Sequence, residues 1–174
     1  MNEHLANLSQ RFWDTGLEAS PTVATMLGDH RWDDQVEDLS RENEDRLIDS
    51  LEGIAVEAER IDPDGLDRTD RVTRRSLISE ATSHADQLRN RTIEFEVDPM
   101  LGIHMHLVNY IPQLTLQTTE HADAMVAKAS KMGGVFDQAI ERLRQGVANG
   151  RTPTKVLAEK ALGQIDDYLA SPVE

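Results

Sequence analysis

The chain has 174 residues, of which 39% are hydrophobic and 29% charged, so it can bury a core and is typical of an ordinary globular protein. Its 32 acidic and 18 basic residues give a formal charge of -14. Such a field repels nucleic-acid phosphates and anionic lipid, so we expect neither a nucleic-acid nor a membrane partner. The chain has no cysteine, which excludes disulfides, thiolate metal sites and a cysteine nucleophile.

The N-terminus has no signal-peptide pattern, because it lacks both a basic stretch and an apolar run. No apolar stretch approaches the roughly 20 residues that a membrane-spanning helix needs. We therefore expect a cytoplasmic protein.

The first third of the chain predicts three helices. Leu5, Leu8 and Phe12 recur at helical spacing, and Leu17 extends the same stripe. Ser20-Pro21 is a helix start with serine as the N-cap, and Gly28 ends that short helix. After a charged connection, Ser40 can cap a third helix, within which Gly53 suggests a close approach of a neighbouring helix. The inward positions of the third helix are Leu47, Leu51, Ile54, Ala58 and Ile61.

The central third predicts a fourth helix, an extended segment and a fifth helix. Asp62-Pro63-Asp64-Gly65 is predicted to end the third helix, and a fourth helix follows from about Thr69 to Asn90. The stretch 92–97 alternates apolar and polar residues, which is typical of a strand. Leu101 to Ile111 is apolar and predicts another helix. The inward face of the fourth helix is predicted to carry Val72, Leu77, Ala81, His84 and Leu88.

The last third predicts three helices. Thr118 can cap a helix through Met132, Gly133-Gly134 is interpreted as a turn, and Asn149-Gly150 is a helix-end signal. Thr152-Pro153 resembles the start at Ser20-Pro21 and predicts the final helix. The last two stripes are predicted to contain Phe136, Ile140, Leu143, Val147, Val156, Leu157, Ala161, Ile165 and Leu169. The sequence thus predicts one all-α domain over residues 1–174, a bundle of six to seven helices with one short extended segment near 92–97.

Motifs for known catalytic chemistry are missing from the sequence. None of the six histidines is followed by glutamate, which excludes the His-Glu-x-x-His zinc helix. The sequence also lacks a Gly-x-Ser-x-Gly elbow, a phosphate-binding loop and a dinucleotide fingerprint. We therefore predict no catalytic residue and no cofactor-binding residue in this chain.

Three histidines are the candidate metal ligands. His104 and His106 could chelate one ion from a strand, but in a helix they point roughly 200° apart. His84 lies one turn after Glu80, yet the paired Glu-x-x-His pattern of di-iron bundles does not occur. We expect His84 to be a core histidine and expect no metal at these three positions.

The acidic run from Asp29 to Asp38 could suggest a calcium loop. An EF-hand needs oxygen ligands at alternate positions and glycine at the sixth. With Asp29 first, Arg31 is third and Asp34 is sixth, so the pattern fails. A solvated connection is the better interpretation.

Several segments, in order, resemble a bacterial family catalogued as domain of unknown function 885. They cover nearly the whole chain, and the ordered set is more specific than any one of them. The matching segments are Phe12-Trp13, residues 20–28, Asp38-Leu39-Ser40, residues 61–66, residues 98–102, residues 146–153 and Ser171-Pro172.

The resemblance implies a function located outside this chain. Members of that family are mostly helical, zincin-like proteins related to metallopeptidases, with a His-Glu-x-x-His helix in the C-terminal part. That part is missing here, so the resemblance implies a truncated protein, a split gene or a degenerate homologue, with zinc only in the missing part. The chain would be a non-catalytic N-terminal helical module that covers or walls a substrate channel.

Two other functions stay open at this point. The chain could be a stand-alone interaction or oligomerisation protein that self-associates through an unpaired helix face. It could also be a small metal-binding bundle that uses His104, His106 and His84.

Overall fold

The computed structural model describes residues 2–100 and 102–171, without the side chains of Leu107 and Val108. Over these residues the chain forms seven α-helices and no strand, which confirms the all-α class. None of the described helices combines the length and apolar content that crossing a membrane requires. The helices are α1 (Glu3–Ala19), α2 (Pro21–Met26), α3 (Arg41–Glu59), α4 (Arg68–Arg89), α5 (Ile103–Tyr110), α6 (Thr119–Ala148) and α7 (Lys155–Ala170).

The chain forms two compact units. The first unit combines Met1–Pro21 with Ser40–Arg91, and the second combines Thr22–Leu39 with Thr92–Glu174. Each unit is thus built from two separate stretches of the chain. That all residues belong to one domain stays a prediction.

Helices α1, α3 and α4 form the core of the first unit. Their apolar stripes meet in one cluster, and a second cluster forms where Phe12 packs beside Ile48, Leu51 and Ala85. Most of the residues predicted to face inward on these helices are buried, as period-3.6 spacing requires. The main cluster contains Leu5, Leu8, Ile54, Ala55, Ala58, Leu77 and Ala81.

Side chains cap the helix ends of the first unit. Ser40 Oγ accepts a hydrogen bond from the backbone N–H of Asn43, as predicted, and Asp67 caps α4 in the same way. At the other end of α3, the Arg74 guanidinium donates to the carbonyl oxygens of Ala58 and Glu59, at 2.9 and 2.8 Å. A cation at a helix C-terminus also complements the helix dipole.

Two expectations for the first unit are wrong. Val72 is 60% exposed, because the buried stripe of α4 passes through Leu77, Ala81 and Ala85 instead. Gly53 does not mark a close helix approach, since a Cβ built there meets nothing within 4 Å.

Glycines end two helices of the second unit as the sequence predicts. Gly28 follows α2 with φ +83°, and Gly150 follows α6 with φ +72°, a region that favours glycine. At the end of α6, the N–H of Gly150 donates to Val147 O and the N–H of Arg151 donates to Gly146 O. This pair of hydrogen bonds is a Schellman motif.

Helix α6 is one continuous helix of 30 residues, so the predicted turn at Gly133-Gly134 is wrong. Each helical glycine costs about 1 kcal/mol relative to alanine. Packing on both sides of the pair outweighs that cost, because Lys128, Val135 and Ala139 are all buried. The start of the final helix also differs: α7 begins at Lys155 with Thr154 before it, not at Pro153.

The alternating stretch 92–97 does not form a strand. Thr92–Glu94 is a 3-10 turn, and Glu94 is only 1% exposed although it is charged. A strand needs a neighbouring strand for its backbone hydrogen bonds, and none exists in the described residues. The turn is instead held against α6 by Glu94, whose backbone meets Gly146 and whose carboxylate meets Arg142.

At Gly146 the backbone of α6 touches the backbone of this turn. A Cβ built on Gly146 would lie 1.9 Å from Glu94 O and 2.8 Å from Glu94 C. Both atoms are backbone atoms, so they cannot move aside as a side chain would. The position therefore requires glycine for its lack of a side chain.

We expect Gly146→Ala to lower the free energy of unfolding by about 3 kcal/mol, because the added methyl group overlaps the Glu94 backbone. Gly134→Ala in the same helix is the matched control, since a Cβ there meets nothing within 4 Å. It should raise stability by about 1 kcal/mol. Urea unfolding of both variants measures the difference, and equal effects of the two substitutions would contradict the contact.

Candidate functional site

An open apolar groove of about 840 Å³ is the candidate functional site of the second unit. Its walls are α5, the C-terminal half of α6, and α7. The groove is lined by apolar side chains that include Phe136, Ile140, Leu143, Leu162, Ile165 and Leu169.

The apolar stripes of α6 and α7 are therefore not all core positions. Only Ala161 of α7 is buried, whereas Leu169 is 74% exposed and Leu162 is 60% exposed. Val147, Val156 and Tyr168 are exposed as well. The spacing predicts one apolar face on each of the two helices, and part of each face lines the groove.

His104 lies at the polar edge of the groove. Gln164 donates through its amide nitrogen to Pro99 O at 2.9 Å, so its amide oxygen is the acceptor. His104 Nε2 lies 3.2 Å from that oxygen and therefore donates to it. Because the proton occupies this nitrogen, Nε2 is engaged in holding α5 against α7.

His106 and His84 have separate surroundings. His106 lies two residues after His104 in helix α5, so the two rings point roughly 200° apart, and the His106 ring packs on Tyr110 with centroids 5.1 Å apart. His84 lies in α4 of the first unit, half-buried, and this burial lowers the pKa of its imidazole.

Glu94 fixes the 3-10 turn that leads into the groove. Its two carboxylate oxygens face Arg142 of α6 at 3.6 Å and Arg151 at 3.1 Å. Arg142 is itself buried and also donates to Leu39 O, while the Arg151 guanidinium lies over the Phe95 ring. One carboxylate thus ties the turn, α6 and the chain after α6 together, next to the groove residues Glu96 and Val97.

A second cluster joins the N-terminal half of α6 to the segment before Leu39. The imidazole rings of His30 and His121 stack with centroids 4.0 Å apart, and His30 Nδ1 lies 2.7 Å from Asp33 Oδ2. Thr25 Oγ1 donates to the other oxygen of Asp33 at 2.7 Å. The sequence did not predict this cluster, because 91 positions separate His30 from His121 and only His30-x-x-Asp33 is a local signal.

Lys128 lies two turns after His121 in α6 and is fully buried. Its ammonium nitrogen has no hydrogen-bond partner among the described residues. Burial lowers the pKa of this amine, and the nearby carboxylates of Glu37, Asp33 and Asp34 oppose the shift. The acidic run that looked like a solvated connection therefore also faces α6, where Lys131 contacts Asp34.

A family model described as "Bacterial protein of unknown function (DUF885)" matches residues 21–174. Neither the curated proteins nor the solved structures contain a significant match to the chain.

We expect Glu94→Gln to lower the free energy of unfolding by about 3–5 kcal/mol, because Arg142 would keep a buried charge without its carboxylate. Glu96→Gln, two residues further on and exposed, is the matched control and should change stability by less than about 0.5 kcal/mol. Urea unfolding at neutral pH makes the comparison. Similar values for the two variants would show that Glu94 does not hold this region.

We also expect His84 to weaken the fold in acid. Burial lowers its pKa below the usual value of about 6.5, so the unfolded chain binds the proton more readily than the folded chain. The stability linked to His84 is therefore present above about pH 6.5 and is lost as the pH falls below it. An NMR titration of the His84 ring should give a midpoint below 6.5, and His84→Leu should reduce the acid loss of stability. A midpoint at or above 6.5 would contradict the burial effect.

Proposed function

The chain belongs to the bacterial DUF885 family, and from this we propose that it is a helical docking module of a metallopeptidase-like protein. Its apolar groove receives an amphipathic helix from the zinc-bearing C-terminal part that the family resemblance implies. In this arrangement the module forms part of the wall of a substrate channel. The chain itself contributes surface and shape, and the C-terminal part carries out the chemistry.

The apolar face of α7 is the observation that supports this proposal. A helix of 16 residues with one buried residue gains little from packing inside its own unit. Burying a fully exposed leucine or isoleucine contributes about 1.5–3 kcal/mol, and proportionally less when the side chain is half-covered. Leu162, Ile165 and Leu169 together therefore offer several kcal/mol to a partner that covers them. Contiguous exposed apolar surface of this kind is typical of an interaction site.

The shape and rim of the groove define the occupant. Helices α6 and α7 carry the apolar side chains that line the groove. In helix-in-groove recognition, a surface of this kind receives the apolar face of a third helix. Glu96 and Asp167 lie among the lining residues, and the chain carries a charge of -14. We therefore expect an apolar helix face that is flanked by lysine or arginine, since opposite charges at a rim favour the right partner.

The groove does not fit the zinc ion that the family resemblance implies. His104 is the one imidazole in its lining, and its Nε2 already donates to Gln164. The remaining lining is mainly aliphatic, whereas a zinc site needs three or four nitrogen, oxygen or sulfur ligands. We accordingly assign this surface to docking and derive no catalytic step from it.

Self-association is the second candidate function. The same exposed face of α7 could pack on a second copy of the chain, in which case the groove would be an oligomer interface. The acidic rim disfavours this pairing, because it would bring Asp167 and Glu96 of two copies together.

We expect Leu162→Asp to weaken binding to the proposed C-terminal part, with its His-Glu-x-x-His helix, by at least tenfold, about 1.4 kcal/mol, because a carboxylate replaces a covered side chain. Val72→Asp is the matched control: Val72 is also 60% exposed but lies on α4 of the first unit. Isothermal titration calorimetry gives both affinities. Unchanged affinity of Leu162→Asp would contradict docking through the groove. A concentration-dependent dimer in light scattering that Leu162→Asp abolishes, without binding to the C-terminal part, would favour self-association instead.

A further inference from the structure

Three ligand-type side chains converge where the 3-10 turn His30–Trp32 meets α6, within the second unit. One ring nitrogen from each of His30 and His121 and one carboxylate oxygen of Asp33 all lie within 4.8 Å of one another. No other group of three or more such side chains occurs in the part of the chain that the structure describes. We propose that His30, Asp33 and His121 bind a divalent transition-metal ion, with zinc as the best match.

The donor set determines the class of metal. Two imidazoles and one carboxylate are a known ligand set for zinc, with a fourth position left for water. Magnesium and calcium prefer oxygen ligands, so they do not suit a site with two imidazoles. The site is distinct from the groove and does not depend on the proposed docking function.

His121 supplies an independent indication. Its Nδ1 is buried and has no hydrogen-bond partner among the described residues. Leaving a buried polar atom unpaired costs about 1–3 kcal/mol, so a ligand that pairs with it is stabilising. The backbone at this position is fixed, because His121 N–H donates to Thr118 Oγ1 at the start of α6. The ring that carries the unpaired nitrogen stacks on the ring of His30.

Asp33 is held in the way that metal sites hold their carboxylates. It is only 9% exposed, and its two oxygens are bonded by Thr25 Oγ1 and His30 Nδ1. The Thr25 hydrogen bond is an outer contact, of the kind that orients a ligand and raises its affinity for the metal. The hydrogen bond between His30 Nδ1 and Asp33 Oδ2 is released when the metal binds, because both groups are proposed ligands of the same ion.

Metal binding requires one side chain to turn. The two imidazole rings are nearly parallel, at 18°, and the lone pair of a ring nitrogen lies in the ring plane. Rings stacked face to face cannot both aim at one ion. His30 has room to turn because its side chain is 42% exposed, and bonds to the metal would replace its contact with Asp33. Asp33 and the buried edge of His121 stay in place.

The surrounding charges permit a cation. The carboxylates of Asp33, Asp34 and Glu37 and the ammonium groups of Lys128 and Lys131 all interact in this region. Three negative charges thus face two positive ones. Burial also lowers the pKa of Lys128, which makes its charged form less favourable.

The test is metal titration of tag-free full-length chain after treatment with a chelator. We expect zinc to bind at one equivalent by isothermal titration calorimetry and cobalt(II) to give the strong visible absorption of a four-coordinate site. His121→Ala and His30→Ala should weaken zinc binding by at least tenfold, since each removes a ligand. His4→Ala, an exposed histidine of α1, is the matched control and should bind as the unmodified chain does.

Thr25→Val provides a second probe that removes no ligand. It should also weaken zinc binding by about tenfold, through loss of the hydrogen bond that orients Asp33. Circular dichroism verifies that each variant is folded. The proposal is overturned if the chain shows no saturable zinc binding, or if folded Thr25→Val and His121→Ala both bind zinc as tightly as His4→Ala.

Discussion

The second unit depends on one buried carboxylate. Glu94 is almost fully covered, and it balances two arginines that come from different places in the chain, Arg142 within α6 and Arg151 just after it. Desolvating these groups is unfavourable, so the arrangement is stable only while all three are present. The close approach at Gly146 brings the Glu94 backbone against α6, which is what lets the carboxylate reach both arginines.

The groove follows from this anchoring. The turn at Thr92–Glu94 is fixed on α6, and the next residues, Glu96 and Val97, become one wall of the groove. Helix α7 forms the opposite side after the Schellman motif at Gly150 redirects the chain. The apolar residues of α7 are thus fixed in position but remain exposed to solvent. This exposure is the physical basis of the docking proposal.

Local patterns in the sequence predicted most of the fold. The caps at Ser40 and Thr118, the glycine ends at 28 and 150, and the stripes of α1 and α3 all follow from short-range rules, and the structure confirms them. Long-range contacts could not be predicted this way. Glu94 looked like the polar position of a strand because Arg142 lies 48 positions away, and His30 gave no sign of His121. Which apolar face stays open depends equally on distant packing.

Helix α6 also acts as a spacer between the two proposed sites. His121 and Ile140 are 19 positions apart in one continuous helix, which at 1.5 Å per residue separates them by about 28 Å along the axis. Electrostatic effects are screened over about 8 Å at physiological ionic strength, so charge at the histidine cluster is not felt at the groove. An influence carried by α6 would therefore be mechanical. It would cross Gly133 and Gly134, where the helix has no side chains to stiffen it.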